Sequence, residues 1–252
     1  MMKIAITDYD GTLRDFKTGV VPQNNIEAIQ QWRKAGNKFG IATGRNINML
    51  DFELKNYDIT LDFVICVNGA VVLDKDRHIL HSVKISPSIV EKFIKLPLVT
   101  DSDNQIIVFC ERKIFAIRPY SEMPAELVPK IAFDELIKRE DVVQFGIKFK
   151  TSEESLKMKE ELPNIFPMLG GNPNRNYLDI NMSGVNKKYG ISQLLKIMNW
   201  QEYPVFVIGD DSNDLPMIKE YNGYTVKTAA PFMHKEASKV YDSVGDMLIS
   251  NI

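Results

Sequence analysis

The chain has 252 residues, 44% of them hydrophobic and 25% charged, with a formal net charge of -2. These proportions belong to a folded globular protein of one broad domain or two modest ones, and they exclude a disordered or fibrous chain. Lysines and arginines are scattered rather than gathered in the basic stripe that binding to a nucleic-acid backbone requires, so no nucleic-acid partner is expected.

In chain order, Lys3 to Thr7 reads as a buried strand, which Asp8 and Asp10 interrupt too early for a signal-peptide core. Pro22 opens a helix with Ile26, Ile29 and Trp32 at helical spacing, and Gly36 ends it. Lys38 to Ala42 is the next strand, followed by a helix from about Asn46 to Lys55, a strand from Phe63 to Val67 and a turn at Asn68-Gly69-Ala70. A hairpin through Val71 to Leu73 and His78 to Val83 closes this part. The alternation of strand and helix predicts an α/β fold, a Rossmann-like, doubly wound and mainly parallel sheet.

From about residue 84 to 184 the grammar changes. Gln105 to Cys110 and Ile114 to Arg118 are joined by the tight turn Glu111 to Lys113, which implies antiparallel pairing. Later strands run from Val142 to Lys150 and from Tyr177 to Met182, where Leu178, Ile180 and Met182 alternate with Tyr177, Asp179 and Asn181, the signature of one buried and one wet face. After Gly184 the first grammar returns with a helix from about Lys188, a strand from Pro204 to Ile208 and a helix near Asp214. The expected organisation is a catalytic core of residues 1–83 and 185–252 interrupted by an α+β domain of residues 84–184. Cys66 and Cys110 lie inside apolar runs and read as buried reduced thiols. No segment approaches the roughly 18 uninterrupted apolar residues of a membrane span, so no membrane partner and a cytoplasmic location are expected.

Strands of a parallel sheet end on one edge, where residues just past their C-terminal ends converge. Asp8-Tyr9-Asp10-Gly11-Thr12, Thr43-Gly44-Arg45, Asn68-Gly69-Ala70 and Gly209-Asp210-Asp211-Ser212-Asn213-Asp214 all occupy that position, and Lys187 sits where the chain re-enters the core. Asp8, Asp10, Asp210 and Asp214 bring four carboxylates together, which would repel one another unless a hard cation neutralised them; magnesium suits a few carboxylates plus substrate phosphate. The Thr43 hydroxyl, the Lys187 ammonium and the backbone N–H groups of Gly11 and Gly44 supply what a trigonal PO3 group needs. Arg45, Asn68, Gly69 and Asn213 share that edge as candidate substrate-binding residues. The implied chemistry is phosphoryl transfer.

D-x-D-G-T near the N-terminus, a strand-end threonine, a later lysine and G-D-x-x-N-D together resemble the haloacid dehalogenase superfamily. The order and spacing resemble its Cof-like branch of sugar-phosphate and cofactor phosphatases, which carry a large α/β cap. The resemblance implies that Asp8 attacks phosphorus to form an aspartyl-phosphate, while Asp10 protonates the leaving oxygen and then deprotonates water. It further implies that Thr43 and Lys187 hold phosphoryl oxygens and that Mg2+ is bound by Asp8, the Asp10 carbonyl and Asp210, with Asp214 and Asn213 beside them. The expected substrate is a small phosphorylated metabolite. Which ester it is, and the oligomeric state, the sequence leaves open.

Two stretches depart from the family pattern: Val226-Lys227-Thr228-Ala229 stands in place of a Gly-Asn-Ala loop, and Ser243-Val244-Gly245-Asp246 in place of a glycine-rich stretch. A calcium loop counted from Asp8 would need glycine and glutamate where Leu13 and Gly19 stand, so that reading fails. A phosphohexomutase is the alternative enzyme, and a non-catalytic phosphometabolite sensor the alternative of another class. His78, His81 and His234 lie outside every motif. In the insert, Tyr120, Met123, Asn172, Asn174 and Arg175 are of types that could face substrate, although such residues are more often core or rim.

Overall fold

A computed structural model describes residues 1–118 and 124–252. The chain runs through β1 (Ile4–Thr7), α1 (Gln23–Lys34), β2 (Lys38–Ala42), α2 (Ile47–Leu54), β3 (Phe63–Cys66), β4 (Val71–Asp74) and β5 (Ile79–Ser82). Next come α3 (Pro87–Ile94), α4 (Pro97–Thr100), β6 (Gln105–Cys110), β7 (Ile114–Ala116), α5 (Phe133–Leu136), β8 (Val142–Lys148), α6 (Ser152–Ile165), β9 (Leu169–Asn174) and β10 (Tyr177–Met182). It returns through α7 (Lys187–Ile197), β11 (Val205–Gly209), α8 (Leu215–Glu220), β12 (Tyr224–Val226), α9 (Met233–Glu236), β13 (Lys239–Tyr241) and α10 (Val244–Ser250).

Two sheets result. The larger has the order β13-β12-β11-β1-β2-β3-β4-β5, parallel as far as β3 and antiparallel for β4 and β5. Succession moves outward from β1 through β2 and β3 on one side, and β11 then takes β1's other flank. The order therefore reverses at β1, which opens a crevice beyond its C-terminal end. The smaller sheet, β7-β6-β8-β10-β9, is antiparallel throughout. This is an α/β protein with a parallel-rich core sheet and a separate antiparallel one.

Burial follows the sequence periods. Ile26, Ile29 and Trp32 of α1 are buried, and every residue of β1 and β3 is buried, as a strand covered on both faces requires. One apolar cluster fills the larger sheet and takes in Ile107, Phe109 and Val143 from the smaller one; a second lies within Ile85 to Ile180. The two sheets are thus packed against each other.

Some elements differ from expectation. The turn at 68–70 is a tight helical turn over Val67–Gly69 with Asn68 in the left-handed region at φ 52°. β9 is built from Leu-Gly-Gly-Asn-Pro-Asn, a poor strand sequence held by six register pairs to β10. β12, β13, α6 and α10 gave no clear sequence signal; β12 and β13 have only three residues each. The divergent Ser243-Val244-Gly245-Asp246 stretch opens α10, where Ser243 Oγ accepts from the Asp246 N–H at 3.1 Å. Both cysteines are buried and free. No helix of the described residues is long and apolar enough to cross a membrane.

Gly69 joins the strand-end turn to α7. It has φ +97°, and a Cβ there would lie 2.1 Å from the Asn186 carbonyl oxygen. Gly69→Ala is therefore expected to lose about 2 to 4 kcal/mol of stability, from left-handed strain plus overpacking. A lowered urea midpoint at unchanged slope is the readout; a wild-type midpoint would contradict the close approach.

Candidate active site

Asp8 follows β1 directly, its N–H donating to the Ile208 carbonyl of β11 at 2.9 Å. Lys187 is the first residue of α7, which Asn186 caps by accepting from the Tyr189 N–H. Helix starts are usually wet, yet Lys187 is 0% exposed. Its ammonium donates to Asp8 Oδ1 at 2.5 Å and to Asp214 Oδ1 at 2.6 Å. Asp214 Oδ2 accepts from the N–H groups of Asp210 and Asp211 at 2.9 and 3.2 Å, so this carboxylate anchors its own loop. Thr12 Oγ1 donates to Asp210 Oδ1 at 2.7 Å, tying the first strand-end loop to the last.

Asp8, Asp210 and Asp214 are all buried, and each offers an oxygen within 4.8 Å of the others. Three carboxylates thus face one ammonium. Burial drives the Asp8 carboxyl well above its usual range against the pull of Lys187, with Asp214 and Asp210 adding to the rise. Asp210 is pushed up to about 6, first by burial and then by Asp214. Burial works to lower Lys187, but Asp214 and Asp8 override it and hold the ammonium above its ordinary value. Such excess negative charge, set among hard oxygen donors, is the chemistry of a divalent-cation site.

Asp10 does not join that group, contrary to the four-carboxylate expectation. Arg45 grips it through Nε at 2.6 Å and Nη2 at 2.8 Å, and Arg14 Nη1 stands 3.3 Å away. Arg45 reaches Glu53 as well, at 3.3 Å, so its guanidinium is already engaged by carboxylates. Thr43 is buried just past the end of β2; its Oγ1 accepts from the Arg45 N–H at 3.1 Å, and among the described residues its hydroxyl donates to none. Gly44 makes no hydrogen bond among the described residues and lines the central cavity, whereas the Gly11 N–H is taken by the Arg14 carbonyl at 2.8 Å. Phosphate cradling by Gly11 is therefore not what this geometry offers. Gly69 serves packing against α7, and Asn68 bridges the sheets. Its Nδ2 donates to Asp179 at 2.7 Å and to Gln144 at 3.2 Å, and Asn213 Nδ2 donates to its Oδ1 at 3.4 Å.

A cavity of about 220 Å3 lies between the two sheets. Asp8, Asp10, Thr43, Gly44, Arg45, Asp210 and Asn213 line its floor, while Ile107, Phe109, Asn174, Tyr177 and Asp179 come from the smaller sheet. Of the insert residues singled out in the sequence, Asn174 reaches the cavity and Arg175 packs over the Phe16 ring at 4.2 Å. Asn172 instead donates to Asn181 and Val185, and Tyr120 and Met123 lie outside the described residues. Sequence reasoning passed over Asp179, although its place on the polar face of β10 was the available signal; that face, expected to be wet, instead covers the cavity and buries Asn181. The divergent loop after β12 does abut the site: the Ala230 N–H donates to the Asp210 carbonyl at 3.0 Å. His81 and His234 hydrogen-bond to Tyr189 and to the Val226 carbonyl, away from this cluster.

A parallel-rich sheet with acidic strand-end loops and a second sheet over them defines a class of hydrolase. The family profile of the haloacid dehalogenase-like hydrolases matches residues 5–249, and the chain belongs to that family. It is 25% identical over 244 residues to an uncharacterized Mycoplasma capricolum protein, covering 90% of this chain and 91% of that one. It is 23% identical over 251 residues to the 5-amino-6-(5-phospho-D-ribitylamino)uracil phosphatase YcsE of Bacillus subtilis, covering 96% and 90%. Among solved structures it resembles a sugar phosphatase of haloacid dehalogenase subclass IIB, with a TM-score of 0.80, 25% identity and coverage of 99% and 96%.

Burial lifts the Asp179 carboxyl to about 7, against a hydrogen bond from Asn68 and the charge of Lys187. Between the ordinary value of 3.8 and about 7 the native protein holds a proton that the unfolded chain releases, so stability should fall as pH rises through this window. Above it the loss is complete. Urea unfolding in chelator should show Asp179→Asn lacking this share of the decline; identical pH profiles for variant and wild type would refute it.

Proposed function

We propose that the protein is a magnesium-dependent phosphoric monoester hydrolase that acts on a small phosphorylated metabolite through an aspartyl-phosphate on Asp8. The observation that carries the reading is the buried Asp8 carboxylate at the end of β1, held by Lys187 and flanked by Asp210 and Asp214. Asp8 and Asp210, with the backbone carbonyl of Asp10, would hold the cation, and Asp214 would support it from its loop-anchoring position. When bound, the ion neutralises the carboxylates and draws charge from the phosphoryl oxygens.

The remaining steps belong to the chain's own residues. Lys187 fixes Asp8 Oδ1, leaving Oδ2 to form the bond to phosphorus as the ester P–O bond breaks. The Thr43 hydroxyl, the Gly44 N–H and Lys187 stabilise the equatorial oxygens as charge spreads onto them. Asp10 delivers its proton to the departing alkoxide, then takes one from the water that attacks phosphorus and frees Asp8 and inorganic phosphate. That role requires the Arg45 grip to loosen as substrate enters, and Glu53 is placed to take up the guanidinium. A pure sensor would gain nothing from this nucleophile and acid pair.

Residues 84–184 are proposed as the substrate-selecting cap over a core of 1–83 and 185–252. Contacts between the sheets support a closed arrangement: Asn46 Nδ2 donates to the Cys110 carbonyl at 2.9 Å and Ser212 Oγ to the Pro173 carbonyl at 2.8 Å. Closure keeps water from the reacting groups and limits access to small esters.

With magnesium the purified protein should hydrolyse p-nitrophenyl phosphate, and excess chelator should abolish the reaction. Asp8→Asn should remove turnover while leaving the circular dichroism spectrum unchanged, and Lys187→Ala should reduce kcat about a hundredfold. Wild-type turnover by Asp8→Asn would exclude the covalent route. Exchange of residues 84–184 for the cap of a relative with another preference should move kcat/KM ratios across a substrate panel; unmoved ratios would locate selectivity in the core.

A further inference from the structure

Asp10 belongs to a ring of alternating charges. Arg45 binds it through Nε at 2.6 Å and Nη2 at 2.8 Å, and Arg14 Nη1 reaches the same carboxylate at 3.3 Å. Both guanidinium groups also face Glu53 of α2, Arg45 through Nη1 at 3.3 Å and Arg14 through Nε at 3.7 Å. The order Asp10, Arg45, Glu53, Arg14 therefore returns on itself, with two charges of each sign and every side chain 18 to 26% exposed. Arg14 Nε donates to the Gly19 carbonyl at 3.0 Å as well, which holds Arg14 in the loop after β1. Neither Glu53 nor Arg14 lines the cavity.

The ring is unequal. Asp10 accepts three guanidinium N–H groups, spread over both of its oxygens, whereas Glu53 has only the contacts at 3.3 and 3.7 Å. The acid step needs one Asp10 oxygen turned to the leaving group with a proton on it, and neither oxygen is free for that here. Glu53 is the under-bonded acceptor to which the same cations can move. Arg45 can tilt towards it against the Tyr9 ring, whose centroid lies 5.3 Å from the guanidinium carbon. Both cations stay paired through such an exchange, so no uncompensated charge is left in a half-buried place. Resting on the phosphatase reading, we infer that Glu53 and Arg14 are positioning residues for the proton transfer: the ring stores Asp10 and frees it when Glu53 takes over Arg45. As the ester P–O bond breaks, its electron pair stays on the leaving oxygen, which takes the Asp10 proton and leaves Asp10 a carboxylate.

A series of para-substituted phenyl phosphates, from nitro to methoxy, varies the basicity of the leaving oxygen at nearly constant shape. For the magnesium-loaded full chain, kcat/KM reports the steps up to departure of that oxygen. Nitrophenolate leaves without a proton, so Glu53→Gln should cleave the nitro ester as wild type does. On the methoxy ester it should lose about tenfold, the scale of one hydrogen bond to a charged group, because both arginines then converge on Asp10. Glu53→Asp should recover part of that loss. Arg14→Gln should act in the opposite sense and flatten the dependence on leaving-group basicity, since it removes one clasp from Asp10 and leaves Glu53 to Arg45 alone. No loss in Glu53→Gln, a loss of equal size across the series, or no recovery in Glu53→Asp overturns the inference. An unchanged or steeper dependence in Arg14→Gln overturns it too, a readout that stands even if Glu53→Gln fails to fold. Asp10→Asn supplies the dependence of a protein without the acid; if it matches wild type, the acid role falls and the inference with it. Failure of the folded, magnesium-loaded protein to cleave any of these esters overturns the phosphatase reading itself.

Discussion

Lys187 carries an ammonium with no access to solvent, shared between Asp8 and Asp214. Removing such a charge from water is tolerable only where carboxylates surround it closely, and here two do. Those carboxylates come from two different strand-end loops: Asp8 on the first, Asp214 where the loop after β11 turns into α8. One ion pair cluster therefore fixes the relative positions of β1, α7 and the last acidic loop. Gly69 completes the arrangement by letting α7 begin against the third strand-end turn.

The same cluster sets the site's electrostatics. Three buried carboxylates opposed by a single lysine leave unbalanced negative charge, which lifts Asp8 and Asp210 above their usual range. A divalent cation bound there would relieve that imbalance and let a phosphate dianion approach. Asp10 stands outside this balance because Arg45 and Arg14 neutralise it locally. Two neighbouring carboxylates, two residues apart, thus have different partners: Lys187 and the buried carboxylates around Asp8, and two guanidinium groups around Asp10.

Where the smaller sheet meets the core, side-chain hydrogen bonds join the two. Asn68 alone links Asp179 and Gln144 of the smaller sheet to Asn213 of the loop after β11. Its left-handed backbone allows this, since a residue at φ 52° projects its side chain out of the strand direction. The wall of the cavity between the sheets is consequently linked through Asn68 to the loop that carries Asp210 and Asp214.

Residue order alone was enough for the parallel-rich core, because buried strands and amphipathic helices leave periods that survive without tertiary context: Ile4 to Thr7, Phe63 to Cys66 and the Ile26, Ile29, Trp32 stripe all lie where their periods put them. The acidic strand-end loops were legible for a similar reason, since parallel strands end on a common edge whatever their sequence separation. Strands such as Leu169–Asn174 were not, because cross-strand pairing with β10 overrides a Gly-, Asn- and Pro-rich composition. Nor could spacing reveal that Arg45 is committed to Asp10, that the Gly11 N–H is already bonded, or that Asp179 faces the crevice from 111 residues beyond Asn68. Those facts depend on which side chain reaches which partner in three dimensions, and only the packing of one sheet on the other decides it.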